Sequence, residues 1–139
     1  MDLQSLIVPS KQTWADYPGI PGFEVALAYL TREELMKIRK KATTNKVNRK
    51  TRQVEEEVDS DLFQELYITA VVKDWKGLTY TSLTKLLPLD TDSIEDMDAN
   101  VEYSPDNAIA LMKNSPDFDS WVSEMLDDVQ AFTAPKLKK

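Results

Sequence analysis

The sequence predicts a mainly α-helical, single-domain protein of about five helices, with a short strand or hairpin near its N-terminus. Three observations favour this: a long apolar stripe at helical spacing in mid-chain, repeated helix-capping residues, and a length of 139 residues, which suits one domain. We expect an irregular, flexible leader over residues 1–22, a helical domain over 23–132 and a frayed basic tail over 133–139.

The central element is a helix predicted between Asp59 and Leu78. Its large side chains recur three and four positions apart, the spacing that places them on one helix face. They are Leu62, Phe63, Leu66, Tyr67, Ala70, Val71 and Trp75. Asp59 or Ser60 can cap its start, and Gly77 can end it in a left-handed conformation. This helix is expected to organise the core.

The segment before the central helix contains a strand and a helix. Alternating apolar residues from Phe23 to Tyr29 predict a half-buried strand. Thr31 and Glu34 form a capping box that begins a helix running to about Ala42. The charged stretch 43–58 that follows fits either a hairpin or a disordered loop.

Three further helices are predicted after the central one. The first begins at Thr79 or Thr81 and stops before Pro88. Ser-Pro pairs at 104–105 and 115–116 place a cap and a proline at the start of the other two. The last helix carries an apolar stripe. Its members are Phe118, Trp121, Val122, Met125, Leu126, Val129 and Phe132.

The composition removes most catalytic chemistry. Without cysteine or histidine, the chain has no thiol nucleophile, no Cys/His zinc site and no imidazole base. Its three glycines, at 19, 22 and 77, cannot form a phosphate-binding loop. A pair of carboxylates is the remaining catalytic option, and no pair stands out. We therefore expect a non-enzymatic protein without a cofactor.

The acidic run from Asp90 to Glu102 does not fit a calcium-binding EF-hand. A loop that starts at Asp90 places Ile94 and Val101 where that site needs oxygen ligands. An acidic solvated loop is expected, and no metal site. The chain also contains no apolar run long enough to cross a membrane, so we expect a soluble protein of the cytoplasm.

A basic patch from Arg32 to Arg52 contrasts with the net charge of −7, because it holds nine of the 17 basic residues. It is either a solvated helix face and loop, or a docking surface for an acidic protein or a second copy. Nucleic acid fits less well, because no aromatic residue is interleaved to stack on bases. The candidate contact residues are Arg39, Lys40, Lys41, Arg49 and Lys50.

Two aromatic residues of the leader are further candidate contact residues. Trp14 and Tyr17 lie among prolines and glycines, where no regular element is predicted. In a mobile arm they would be docking groups. In the alternative, they fold back onto the domain and contribute to its core.

Several segments resemble the tail assembly chaperones of long-tailed bacteriophages with flexible, non-contractile tails. The resemblance covers most of residues 22–132. The segments that carry it are GFEVALAYLTREELMKIRKKAT (22–43), NRKTRQ (48–53), FQELYITAVVKDWKGL (63–78) and YSPDNAIALMKNSPDFDSWV (103–122).

The resemblance implies a small, mainly helical protein that acts in the host cell cytoplasm and is absent from the finished virion. Such a protein binds and solubilises the tape measure protein and helps to recruit tail tube subunits, which contact a longer, frameshifted form. This chain would be the short form. Independently of the resemblance, the segregation of charge leads us to expect head-to-tail self-association through the basic helix and loop. Neither nucleic acid nor a membrane is expected as a partner.

Two other classes of function stay open. One is a structural tail component, such as a tube or completion protein, although such proteins are usually rich in strands. The other is an acidic inhibitor or DNA mimic, suggested by the clustered carboxylates. The basic patch counts against the mimic.

Overall fold

The computed structural model describes residues 2–7 and 10–128. Within these residues the chain forms six α-helices, one short 3₁₀ helix and five β-strands. The helices are α1 (Leu3–Leu6), α2 (Arg32–Lys41), α3 (Ser60–Val71), α4 (Tyr80–Leu83), α5 (Pro105–Asn114) and α6 (Pro116–Asp127). The strands are β1 (Ser10–Asp16), β2 (Glu24–Leu30), β3 (Thr43–Val47), β4 (Val54–Val58) and β5 (Val72–Lys76). The 3₁₀ helix spans Thr91–Ser93.

The strands form two antiparallel sheets. The larger sheet has the order β1-β2-β5, and the smaller one is the hairpin β3-β4. In the central strand β2, the four consecutive residues from Val25 to Ala28 are all buried. Helices α3 and α6 pack against β2, and α3 also packs against α5. The main core therefore lies between the three-stranded sheet and these helices.

The prediction of a mainly α fold is wrong, because the protein is a mixed α/β fold. One reason is β5: the sequence predicts one helix from Asp59 to Leu78, but α3 ends at Val71 and the chain continues directly as a strand. Val72 and Trp75 are buried in that strand, while Lys73 and Asp74 are exposed. Pairing with the open side of β2 satisfies backbone groups that a longer helix would have satisfied internally.

The second reason is β1, which lies within the segment predicted as an irregular leader. Its register with β2 runs without a break from Ser10 opposite Leu30 to Asp16 opposite Glu24. Polar residues fill most of this strand, so its own sequence carries little apolar alternation. The pairing partner decides its conformation. The domain boundaries themselves stay a prediction, and the expected tail, 133–139, lies outside the described residues.

The third reason is the charged stretch 43–58, for which the hairpin alternative is confirmed. Backbone bonds close it at both ends: Asp59 donates to the Ala42 carbonyl over 2.8 Å, and Asn48 donates to the Gln53 carbonyl over 2.8 Å. The Lys46 ammonium lies 2.8 Å from Glu57 on the neighbouring strand. Val47 and Val54 pair across the two strands and are 65% and 64% exposed, so the outer half of the hairpin is solvated.

Other predictions from local sequence are confirmed. The strand predicted over Phe23–Tyr29 is present as β2, but it is not half-buried as expected, because Val25 to Ala28 are buried on both faces of the sheet. The caps are confirmed as well, because the side chains of Thr31, Asp59, Thr79, Ser104 and Ser115 each accept a hydrogen bond from the backbone amide three residues on. The apolar stripe of the last helix is buried or half-buried up to Leu126. Val129 and Phe132 lie outside the described residues.

Candidate functional site: an apolar groove beside α5

An apolar groove opens beside α5 and encloses about 170 Å³. Its lining is almost wholly apolar. The lining residues are Trp75, Leu78, Leu83, Leu87, Leu89, Val101, Asn107, Ala110, Leu111 and Asn114. A concave apolar surface with a few polar groups at its edge is the usual form of a site that receives an apolar group from a ligand or partner.

The floor of the groove belongs to the core. Trp75, Leu78 and Val101 are buried, and the Trp75 indole N–H donates to the Val101 carbonyl over 2.8 Å. Leu78 is held from the other side, because its carbonyl accepts a hydrogen bond from the Val101 amide over 2.7 Å. These bonds fix the floor rigidly against the end of β5.

The two walls have different origins. One wall is the leucine-rich segment from Leu83 to Leu89, whose turns are closed by backbone bonds such as Leu87 N–H to the Leu83 carbonyl at 3.2 Å. The other wall is α5. Its lining residues, Asn107, Ala110, Leu111 and Asn114, recur three and four positions apart, so they form a stripe of about two turns, or roughly 10 Å.

The two asparagines mark the ends of the α5 wall and are held in place by the backbone. Asn107 donates through Nδ2 to the Glu102 carbonyl over 2.9 Å, and Asn114 donates through Nδ2 to the Ala110 carbonyl over 2.8 Å. Both amide groups are exposed. Their Oδ1 atoms accept no hydrogen bond from any described residue, so they are available to donors of a bound partner.

Exposed carboxylates, named the acidic rim below, are next in sequence to residues that line the groove. The acidic rim consists of Asp90, Glu102 and Asp106. Asp74 is not counted, because it precedes Trp75 within β5 and successive strand side chains point to opposite faces. Two lysines, Lys76 and Lys113, are also adjacent to lining residues, and a third, Lys85, lies two positions from Leu83 and Leu87. Two of them are already paired, Lys76 with Glu24 at 3.1 Å and Lys113 with Glu65 at 3.4 Å, which leaves Lys85. The rim therefore carries a net negative charge.

Comparison of the sequence with protein families finds a phage-related family. The model of a family described as the YdaY prophage protein matches residues 28–139, from within β2 to the end of the chain. The chain belongs to the YdaY prophage protein family. None of the curated proteins and none of the solved structures compared with it matches.

The matched region of this YdaY-family chain includes the whole groove and the basic patch, whereas β1 and the first half of β2 lie before it. Among residues 2–7 and 10–128, no helix has the length and apolar character needed to span a membrane. The same residues contain no group of three or more carboxylate side chains placed to hold a metal ion.

The basic contact residues predicted from sequence are divided between two places. Arg39, Lys40 and Lys41 form the exposed last turn of α2. Arg49 and Lys50 lie in the turn of the hairpin, beyond the five-residue strand β3, which is about 17 Å long. The structure therefore separates the basic patch into a helix end and a hairpin tip, and does not bring its residues into one cluster.

The two aromatic candidates also differ from each other. Trp14 lies on β1, is 40% exposed and has the Lys76 ammonium 4.8 Å from its ring centroid. Tyr17 packs between Phe23, Phe118 and Trp121, with ring centroids 5.0 to 5.9 Å away. Tyr17 is partly buried and packs against the core. The alternative in which the aromatic residues of the leader fold back onto the domain therefore holds for Tyr17.

The sequence did not indicate the groove. Two of its floor residues, Trp75 and Leu78, come from the segment assigned to the central helix, and the third, Val101, comes from the acidic run. Its walls come from two elements separated by that run. The sequence feature that points to the groove is the group of leucines between Leu83 and Leu89. There are more of these side chains than the four-residue helix α4 can bury by itself. Such an excess indicates that neighbouring elements must pack on the same side chains.

Proposed function

We propose that this YdaY-family protein is a non-enzymatic tail assembly chaperone, which binds the tape measure protein during phage morphogenesis. The observation that carries the proposal is the apolar groove, because it is open to solvent on an otherwise acidic domain. A chaperone needs apolar surface for its client and charged surface for its own solubility. The resemblance of residues 22–132 to tail assembly chaperones supports the same function.

The shape of the groove suits a helical client. Tape measure proteins, as the resemblance implies, are long and helical, and an amphipathic helix binds by placing apolar side chains in a groove. The α5 wall spans about two helical turns, which gives room for one or two such side chains. Basic residues next to them would approach the acidic rim and the Asn107 and Asn114 carbonyl oxygens.

Recruitment of tail tube subunits belongs to the same proposal. The resemblance implies that this step uses a longer, frameshifted form, so the short chain would serve the tape measure protein alone. Co-purification of tube subunits is accordingly expected with the long form and not with the chain of 139 residues.

The experiment is co-expression of this chain with the tape measure protein of the same prophage. The expected result is that the client becomes soluble and co-purifies. Replacing Ala110 by Phe fills the groove from an exposed position of α5 and should reduce the recovered client at least several-fold. Ser120→Phe is the matched control, because it adds the same ring at an exposed position of α6 outside the groove. A client that stays insoluble with both lengths of the protein would overturn the proposal.

A structural tail component is the second candidate. The two sheets of the fold favour it. Structural tail components are usually rich in strands, and the low strand content expected from the sequence no longer counts against this function. Mass spectrometry of purified particles from the induced prophage separates the two functions. A chaperone is absent from the particles, whereas a tail component is present in stoichiometric amounts.

A further inference from the structure

We infer that the groove also receives a second copy of this chain, with Met36 of α2 as the inserted side chain. The inference deepens the proposed function by naming what occupies the groove before a client does. It rests on two exposed surfaces of the same domain whose shapes and charges are complementary.

Met36 is the apolar centre of the exposed face of α2. It is 63% exposed, to the same degree as Val47 and Val54 of the hairpin. Arg32, Arg39 and Lys40 lie next to it on the helix surface at positions i−4, i+3 and i+4, and Glu33 at i−3 is the one acidic neighbour, so the net charge around Met36 is positive. None of these three cations forms an ion pair with another described residue. The ion pair within α2 joins Lys37 to Glu34 instead.

The groove has the opposite arrangement. It presents an apolar depression of about 170 Å³ next to the acidic rim of Asp90, Glu102 and Asp106. A methionine side chain is unbranched and flexible, so it can adapt to a depression of irregular shape. A contact between α2 and the groove therefore places cations against carboxylates around a buried apolar contact, which favours association and fixes its orientation.

The contact joins two different surfaces, so it is head-to-tail. Each bound copy still presents its own Met36 or its own groove to a further copy. Such a contact produces rings or open chains of subunits instead of closed dimers. A client helix would displace α2 from the groove, so the contact between copies covers the apolar groove only until a client binds.

Two variants block one surface each. Met36→Glu replaces the inserted side chain by a good helix former with a charge that the acidic rim repels. Ala110→Phe fills the groove. Both positions are exposed, so both variants are expected to fold, and circular dichroism checks this. Met36→Leu keeps an apolar side chain and should keep association.

The measurement is the molar mass by light scattering and sedimentation velocity over a range of protein concentrations at low salt. The wild-type chain is expected to increase in mass with concentration, and each variant alone to stay monomeric. An equimolar mixture should form one-to-one heterodimers and nothing larger, because one variant supplies only the groove and the other only Met36. Association of the single variants, a monomeric wild type, or a mixture without heterodimers would each overturn the inference.

A charge exchange gives a second, independent test. Arg39→Glu with Lys40→Glu should abolish association, and mixing that variant with Asp90→Lys and Glu102→Lys should restore it. Exchanging Asp119 and Glu124 of α6 for lysine is the control and should leave association unchanged. Client recovery separates this inference from the proposed function, because Met36→Glu retains the groove and should still solubilise the tape measure protein.

Discussion

Gly77 lies where the end of β5 passes closest to the turn before β2. Its φ is +78°, a conformation that side chains with a Cβ rarely adopt. A Cβ added there would overlap the carbonyl group of Gly22. Gly19 has a similar φ of +89°, but a Cβ at that position would meet no atom within 4 Å. A side chain at Gly19 would therefore cause backbone strain alone, whereas a side chain at Gly77 would cause both backbone strain and steric overlap.

Replacing Gly77 by Ala is expected to destabilise the protein by at least about 2 kcal/mol, because strain and overlap add. Gly19→Ala is the control and should cost about 1 kcal/mol, from the left-handed backbone alone. Urea unfolding followed by tryptophan fluorescence measures both. Equal losses for the two variants would mean that the Gly22 backbone moves away at little cost.

Tyr103 connects the segment before α5 to the larger sheet. Its hydroxyl donates to the Val72 carbonyl over 2.7 Å, at the point where α3 changes into β5. Burial raises the pKa of Tyr103, and the charge of Asp74 raises it further. The folded protein therefore holds this proton more tightly than the unfolded chain does.

The sign of the pH effect follows from that difference. The stabilisation that comes from the raised pKa of Tyr103 is fully present below the usual pKa of a tyrosine, about 10. It is lost as the pH rises through the raised pKa of Tyr103 in the folded protein. Tyr103→Phe should cost about 1 kcal/mol at neutral pH, because the Val72 carbonyl loses its donor. Above about pH 10 the variant should lose less stability than the wild type does. Urea unfolding at both pH values tests this, and parallel losses would contradict it.

Among the elements, the hairpin β3-β4 contributes least to the core. No residue from Thr43 to Val58 is buried, and the Lys46–Glu57 ion pair is exposed. An isolated two-stranded hairpin is marginally stable by itself, so this one depends on the bond between Asp59 and Ala42 at its base. Its exposed Val47 and Val54 and its basic tip suit contact with other molecules more than support of the domain.

Replacing residues 44–57 by a short glycine-containing turn should change the free energy of unfolding by no more than about 1 kcal/mol, because little apolar surface is lost. The near-ultraviolet circular dichroism, which reports on Tyr17, Trp75 and Trp121, should stay the same. Thr31→Ala is the comparison within the same region, and loss of its helix cap should cost about 1 kcal/mol. A much larger loss on removing the hairpin would place it in the core.

At the scale of the whole molecule, charge is segregated along the chain and over the surface. The basic patch from Arg32 to Arg52 holds nine of the 17 basic residues, whereas α6 and the run from Asp90 to Glu102 are acidic. Opposite local fields on one molecule attract neighbouring copies, and salt weakens that attraction once the charges are separated by more than a Debye length.

Self-association is therefore expected to decrease as the ionic strength rises, with the assembled mass falling towards the monomer between about 0.05 and 0.5 M salt. Sedimentation velocity measures this, and circular dichroism under the same conditions should stay constant. An assembled mass that increases with salt would indicate a contact dominated by apolar surface, without the charge complementarity inferred for α2 and the acidic rim.

Local sequence determined the elements whose signals are local. The caps at Thr31, Asp59, Ser104 and Ser115 are confirmed because a capping bond spans only three residues. The alternation of β2 predicted its strand for the same reason. The composition also gave the segregation of charge, and residues 28–139 carry enough of the pattern to belong to the YdaY prophage protein family.

Only the tertiary structure decided the fold class and the groove. The apolar residues of 72–76 suit either a helix or a strand, and the open edge of β2 decided for the strand. Strand β1 likewise depends on β2, and the groove needs segments from three parts of the chain. Strand pairing and concave surfaces depend on partners distant in sequence, whereas a periodic pattern reports only on its own neighbours.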